Sequence, residues 1–350
     1  MKSNKRILAW ARPEIIALKP YKSAREEFVN DGREMILLDA NENPFNNDVN
    51  RYPDPMQNKL KQRLAETKGV LEKQIYLGNG SDEVLNQLMI AFCRPGQDKA
   101  IILPPTFGMY QVCADINGIT TVSVPLTRSF QLDVPAILAA QDDKTKMIFI
   151  PSPNNPTGNC FDKEDLRSLV SEFNGLVVVD EAYVEFAEDQ SILSDLAAHD
   201  NLIVVQTFSK AQGMAGVRLG MCFADPEIVA LMNKVKAPYN LNVLTQNAVL
   251  KRLDEQGVVQ QQVHQILVEK ARLIEEIKAL SFVKKVYPSD ANFFLVKVDN
   301  SSQRYKELIE QGIVVRNPSK NKNCSNALRI TVGTTAENNA LIRALSTMEE

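Results

Sequence analysis

The chain has 350 residues, 44% of them hydrophobic and 24% charged, with a formal net charge of -3 at pH 7. That length exceeds one ordinary compact core and suits two lobes, and the composition allows a sizeable core without disulfides or metals. The slightly acidic balance excludes a nucleic-acid surface built on excess basic charge.

The five cysteines, Cys93, Cys113, Cys160, Cys222 and Cys324, are scattered and form no C-x-x-C. No disulfide framework is expected, and a reducing cytoplasm fits. The two histidines, His199 and His264, lack ligand partners at helical spacing, so no metal site is expected. The apolar run at residues 7–11 is cut off by Arg12 and Pro13, too early for a signal-peptide core or a membrane span.

In chain order, the first 45 residues read as an arm packing on a smaller C-terminal domain. Residues 46–240 read as the large ligand-binding domain, and residues 241–350 as connecting helices and the small domain. Gly78-Asn79-Gly80-Ser81-Asp82-Glu83 precedes a helix whose apolar positions are Val84, Leu85, Leu88 and Met89. Free N–H groups and the dipole at such a helix start bind phosphate. Taken alone, the segment is equally a plain turn with Ser81 as N-cap. The third glycine of a dinucleotide fingerprint is missing, and there is no P-loop lysine.

Between residues 56 and 223, helical patterns alternate with apolar runs at 100–103 (AIIL), 147–150 (MIFI), 176–179 (LVVV) and 202–206 (LIVVQ). Such runs predict buried strands of a mostly parallel sheet with helices on both faces, an α/β architecture. Asp162 marks a helix start, with Leu166, Leu169 and Val170 following at helical spacing. Residues 226–280 read as mainly helical, interrupted near Pro238 and Gly257. Strands at 292–298 and 328–332 and helices at 301–310 and 335–348 then predict a smaller α+β domain.

In open α/β sheets, ligands bind beyond the carboxyl ends of the strands. Four predicted strands run into polar sequence there: AIIL into PPTFGMY, MIFI into PSPNNPTG, LVVV into DEAY and LIVVQ into TFSK. Asp180 is placed to pair with a protonated heteroaromatic nitrogen, or to act as a helix N-cap or metal ligand. Tyr183 reaches the same pocket or packs as a half-buried tyrosine. Asn155, held out of helical geometry by Pro156, offers an amide to a ring oxygen, or is an ordinary Asn-Pro turn.

Lys210 follows a buried strand, and partial desolvation favours the neutral amine that imine formation needs. Thr207 and Ser209 offer hydroxyls to a phosphate, and Arg218 offers a forked cation. A lone Ser-Lys pair is usually a solvated surface pair. The apolar strand before this one and the glycine-flanked arginine after it argue for a site. Phe107 could stack on a planar ring or simply pack in the core.

In order along the chain stand Asp39-Ala-Asn41-Glu42-Asn43, Arg51-Tyr52-Pro53, Gly80-Ser81-Asp82-Glu83, Pro105-Thr-Phe-Gly-Met-Tyr110, Asn155-Pro-Thr-Gly158, Asp180-Glu-Ala-Tyr183, Ser209-Lys210-Ala211, Arg218-Leu-Gly220 and Leu328-Arg329-Ile-Thr-Val-Gly333. This ordered set resembles the fold-type I pyridoxal-phosphate aminotransferases, and most of all their histidinol-phosphate aminotransferase branch.

The resemblance implies that Lys210 carries pyridoxal 5'-phosphate as an imine and moves the substrate α-proton. It implies that Asp180 holds the ring nitrogen, that Asn155 and Tyr183 contact the ring hydroxyl, and that Phe107 stacks on the ring. Gly80, Ser81, Asp82, Thr207, Ser209 and Arg218 would cradle the phosphate. Tyr52 would reach it from a second subunit, which implies a homodimer with shared sites. Tyr21, Asn41, Tyr52, Asn155, Arg316 and Arg329 would contact substrate, the two arginines serving a carboxylate and a phosphate in turn.

The implied reaction is amino transfer between L-histidinol phosphate and 2-oxoglutarate, giving imidazole acetol phosphate and glutamate, and its biosynthetic reverse. An aromatic aminotransferase or an amino-acid-phosphate decarboxylase would share the cofactor residues and differ in the substrate pocket. A cofactor-binding regulatory module would need a DNA-binding domain, for which the residues before Asp39 leave no room. Nucleic acid and membrane are not expected partners.

Overall fold

The computed structural model describes residues 2–23, 25, 33 and 35–348, with side chains from residue 6 onward. Two short helices come first, α1 (Lys2–Trp10) and α2 (Pro13–Ala17), followed by α3 (Asn58–Lys68). Then come β1 (Ile75–Gly78), α4 (Ser81–Phe92), β2 (Lys99–Ile102), α5 (Met109–Ile116), β3 (Thr120–Ser123), α6 (Val134–Ala139), β4 (Thr145–Pro151), α7 (Lys163–Glu172), β5 (Leu176–Asp180), β6 (Leu202–Thr207) and β7 (Gly220–Phe223). After these follow α8 (Pro226–Val235), α9 (Val243–Leu253), the long α10 (Gln256–Lys278), β8 (Val283–Val286), β9 (Phe293–Val298), α11 (Ser301–Glu310), β10 (Ala327–Thr331) and α12 (Thr335–Ser346).

The first seven strands form one sheet in the order β1-β7-β6-β5-β4-β2-β3. Strands β6, β5, β4, β2 and β3 are parallel, and β7 runs antiparallel to both of its neighbours. The continuous apolar runs follow from burial on both faces, since successive side chains of a strand point to opposite sides. Val177, Val179, Leu202 and Val204 enter one hydrophobic cluster, while Leu176, Val178, Ile203 and Val205 enter the other. Asp162 caps α7 by accepting from the Glu164 N–H at 2.8 Å, as its place before the helix predicts.

The second sheet is antiparallel in the order β10-β9-β8. Phe294, Val296 and Val298 pack with Leu328 and Ile330, and with Leu273 and Ile277 of α10 and Leu341 and Leu345 of α12. The α10 helix begins at Gln256, so the break falls at Asp254 and Glu255 and Gly257 lies inside the helix.

The N-terminal arm departs from expectation. Residues 2–17 pack on the seven-stranded unit, and not on the small one. Ile7, Trp10, Ala11 and Ile15 form an apolar stripe that joins Val84, Leu85, Leu88 and Met89 of α4 and Ile228, Leu231 and Met232 of α8. The Arg12 N–H donates to the Ala91 carbonyl at 3.1 Å, and Lys234 Nζ donates to the Ile16 carbonyl at 2.7 Å. Residues 26–32 of the arm lie outside the described residues.

Candidate active site

The chain leaves β2 for β3 on one side and returns to β4 on the other. The strand order therefore reverses at β2, which opens a crevice at the carboxyl ends of the parallel strands. A cavity of about 820 Å³ lies there. Its walls include Ser81, Asp82, Phe107, Asn155, Asp180, Tyr183, Thr207, Ser209, Lys210 and Arg218, with Arg316 and Arg329 entering from the small sheet's side. Four strand ends and one helix start thus converge, as the polar segments after the apolar runs predict.

Asp180 ends β5 and is 4% exposed. Its Oδ2 accepts from the Tyr110 hydroxyl at 2.8 Å and its Oδ1 from the Ala182 N–H at 3.1 Å. Burial pushes its carboxyl up to about 6, while those two donors pull it down. Of the three options that the sequence left open, a helix cap, a metal ligand and a ring-nitrogen partner, this geometry suits the last. Asp180 caps no helix here, and its neighbours are hydrogen-bond donors rather than further metal ligands.

Lys210 follows β6, its amine 5.3 Å from the centre of the Tyr183 ring. Burial, then the charge of Arg329, lowers its affinity for a proton. Both effects favour the neutral, nucleophilic amine. Tyr183 stands edge-on to Phe293, and burial pushes its phenol up to about 12 despite the pull of Arg329, so it stays a hydrogen-bond donor. Asn155 precedes Pro156 through a cis peptide bond, and its Oδ1 accepts from Arg329 Nη1, which leaves its Nδ2 as a donor.

Two glycines shape the expected phosphate cradle. Gly80, at φ 86°, is the N-cap of α4 and carries no capping side chain, so the first N–H groups of the helix stay open. Gly80 takes the cap position, and Ser81 opens the helix. A methyl group at Gly80 would lie 2.5 Å from Arg218 Nη2, and one at Gly220 would lie 2.1 Å from the Ser81 nitrogen. Only glycine therefore lets β7 and Arg218 close on the helix start. Arg218 Nη1 reaches the Ala215 carbonyl at 3.3 Å and Ser209 Oγ at 3.5 Å, and its Nη2 lies 3.7 Å from Asp82. The Thr207 hydroxyl donates to the Leu219 carbonyl at 3.1 Å, which ties the two strands beneath the cradle.

Arg316 lies beside Arg329 of β10 through an antiparallel bridge. Arg329 stacks over Phe293 at 5.1 Å, and its Nε is buried without a hydrogen-bond partner. The Thr106 hydroxyl is likewise buried and unpartnered. These open groups, the uncapped helix start and the buried carboxylate fit pyridoxal phosphate. Lys210 would hold its carbonyl carbon, Asp180 its ring nitrogen, Asn155 and Tyr183 its ring oxygen, and the cradle its phosphate. Phe107 lines the same wall edge-on to Tyr110, at 5.6 Å.

Gly80 stands behind the cavity wall as the cap of α4, and three further expected residues are not brought to this cavity by the one chain. Tyr21 is 77% exposed. Asn41 and Tyr52 line a separate cavity of about 480 Å³, where Tyr52 stacks on Tyr239 at 4.4 Å. Sequence reasoning also passed over Tyr110, Thr106, Lys320 and Asn321. Tyr110 and Thr106 lie inside a quoted motif, but nothing local to them announces their neighbours.

Residues 34–345 match the family described as aminotransferase class I and II. A histidinol-phosphate aminotransferase of Christiangramia forsetii is 50% identical over 338 residues, 97% of each chain. The histidinol-phosphate aminotransferase structure from Clostridium acetobutylicum shares the fold at a TM-score of 0.80, with 24% identity over 86% of this chain and 91% of that one. The Sinorhizobium meliloti histidinol-phosphate aminotransferase, solved in complex with pyridoxal-5'-phosphate, matches at 0.79, with 24% identity over 86% of this chain and 83% of that one. With the family matched across nearly its whole length and the expected side chains gathered in one cavity, the chain belongs to the class I and II aminotransferases, in the branch formed by the histidinol-phosphate aminotransferases.

Proposed function

We propose that this protein is a pyridoxal-phosphate-dependent histidinol-phosphate aminotransferase. It exchanges an amino group between glutamate and imidazole acetol phosphate, giving 2-oxoglutarate and L-histidinol phosphate in histidine biosynthesis. The observation that carries this reading is the half-identity to a histidinol-phosphate aminotransferase over 97% of the chain. The adjacent Arg316 and Arg329 supply chemistry suited to either a carboxylate or a phosphate.

Pyridoxal phosphate, when bound, supplies a carbonyl that takes up amines and a ring that accepts the electrons released at the substrate α-carbon. The rest is the work of the chain. The Lys210 amine, eased toward neutrality by burial and Arg329, removes and returns the α-proton. The Asp180 carboxylate keeps the ring nitrogen protonated. The Asn155 amide and the Tyr183 hydroxyl hold the ring oxygen. Arg329, fixed by Asn155 and Phe293, grips the anionic group next to the reacting carbon, with Arg316 beside it.

The same reading makes the protein a cytoplasmic homodimer. Ile36 and Leu38 are each 87% exposed and Phe45 is 80% exposed, an apolar stretch suited to a second copy. In that arrangement Tyr52 and Asn41 complete the partner's cavity, with Tyr21 covering the substrate. The five free cysteines accord with a reducing compartment, and no helix among the described residues is long and apolar enough to cross a membrane.

The test is spectral and kinetic. The purified protein is expected to be yellow, its visible band lost on adding glutamate and restored by imidazole acetol phosphate. Carbon dioxide release from an amino-acid phosphate, without amino transfer, would replace this reading with the decarboxylase one.

A further inference from the structure

Asp180 does not hold its geometry alone. Tyr110, on α5, is fully buried and absent from the cavity wall. Its ring stacks on Phe149 of β4, with centroids 5.0 Å apart and planes 12° apart, and Phe107 closes it edge-on at 88°. Clamped on two sides, the ring has one direction for its hydroxyl, and that hydroxyl donates to Asp180 Oδ2 at 2.8 Å. Sequence motifs assign nothing to this tyrosine beyond its place in PTFGMY.

We propose that Tyr110 is a positioning residue for the cofactor ring: its hydroxyl fixes the rotation of Asp180 and keeps that carboxylate ionised, so that an acceptor position remains for the ring nitrogen. The inference rests on the pyridoxal phosphate reading above.

A carboxylate accepts at about four lone-pair positions, and each donor it gains stabilises the charged form. Burial works the other way and invites a proton onto Asp180. A protonated Asp180 would present a neutral hydroxyl in place of the counter-charge that a protonated ring nitrogen needs. The Ala182 N–H, on the other oxygen, is main chain and comes with the turn after β5. Tyr110 is therefore the side-chain donor that decides the balance. The other titratable groups facing Asp180 are Lys210, after β6, whose charge favours the carboxylate; Asp82 on α4, which opposes it; and the neutral phenol of Tyr183. None of these three hydrogen bonds to it among the described residues.

The test uses the full-length holoenzyme. Tyr110→Phe keeps the clamped ring and removes the donor. Its dissociation constant for pyridoxal phosphate is expected to rise about tenfold, the size of one hydrogen bond to a charged group. The acid limb of the kcat profile should move up by about one pH unit, with KM for glutamate unchanged. In the Asp180→Asn background the same change should cost nothing further, because no carboxylate is left to assist.

Replacing Tyr110 by 3-fluorotyrosine keeps the hydroxyl and strengthens it as a donor, so the acid limb should move down. This variant also serves where Tyr110→Phe folds poorly. Unchanged cofactor affinity and acid limb in Tyr110→Phe would overturn the inference, as would an undiminished effect in the Asp180→Asn background. Failure of the wild-type protein to take up pyridoxal phosphate would instead remove the function proposed above.

Discussion

Arg316 and Arg329 exchange main-chain hydrogen bonds in both directions, at 3.1 Å and 2.8 Å. The pairing seats the two guanidinium groups on neighbouring segments of backbone. Burial lowers the proton affinity of Arg329, and the charge of Arg316 adds to that effect. Two guanidinium groups so placed suit a carboxylate or a phosphate.

Arg329→Lys retains charge and loses the fork. It should lower kcat/KM for both glutamate and histidinol phosphate by about 10²-fold, the range for removing one partner of a desolvated ionic contact. Arg316→Gln, at the more exposed partner, should act mainly through KM, by about tenfold. Steady-state kinetics with each substrate varied in turn separates the two effects.

Gly220→Ala places a methyl group 2.1 Å from the Ser81 nitrogen. Either β7 or the start of α4 must move, at a cost of about 1–3 kcal/mol. A lower urea midpoint with an unchanged m-value, together with weaker retention of pyridoxal phosphate, is the expected pair of results. A stability loss with full cofactor affinity would mean that the cradle does not depend on this approach.

The carboxyl of Asp180 is raised from 3.8 to about 6. The native chain therefore holds this proton more tightly than the unfolded one does. The stabilisation is present below the unfolded value and is lost as pH rises from about 4 to about 6. For the cofactor-free protein this amounts to about 3 kcal/mol. The stability of Asp180→Asn should lack that fall, so the difference between the two proteins, from urea titrations at pH 4 and pH 7, isolates the site. Activity of the variant should be lost even where its stability is higher.

Chains carrying Tyr52→Ala and chains carrying Lys210→Ala should each be nearly inactive alone. Mixed and reassociated in equal amounts, they should recover about a quarter of wild-type activity, because half the dimers are mixed and each mixed dimer holds one intact site. Recovery near zero with proven subunit exchange would place Tyr52 in the site of its own chain.

The strands β4, β5 and β6 were legible because burial on both faces leaves an unbroken apolar signal. β1, β3, β7 and β8 were not. Each spans four residues. β8 carries Lys284 and Lys285, and β7 begins at a glycine, so propensity points away from a strand and the pairing itself holds them in place. Lys210, Asp180 and Asn155 could be read because each ends or follows a strand the sequence announces, and Arg218 because glycines flank it. The Tyr110–Asp180 contact could not, since it depends on how α5 lies over β4 and β5. An apolar stripe predicts burial and not against what: Trp10 and Ile15 would suit any apolar groove, and they pack with α4 and α8.

Ile75 pairs with Phe223 and Gly78 with Gly220, so the edge of the large sheet joins segments far apart in the chain. Loop closure over such a distance is costly and late. Until Gly220 has docked, the start of α4 faces no arginine and the phosphate has no complete grip. During synthesis on the ribosome, the close approach of Gly220 to Ser81 can therefore form only after residues 220–223 have emerged.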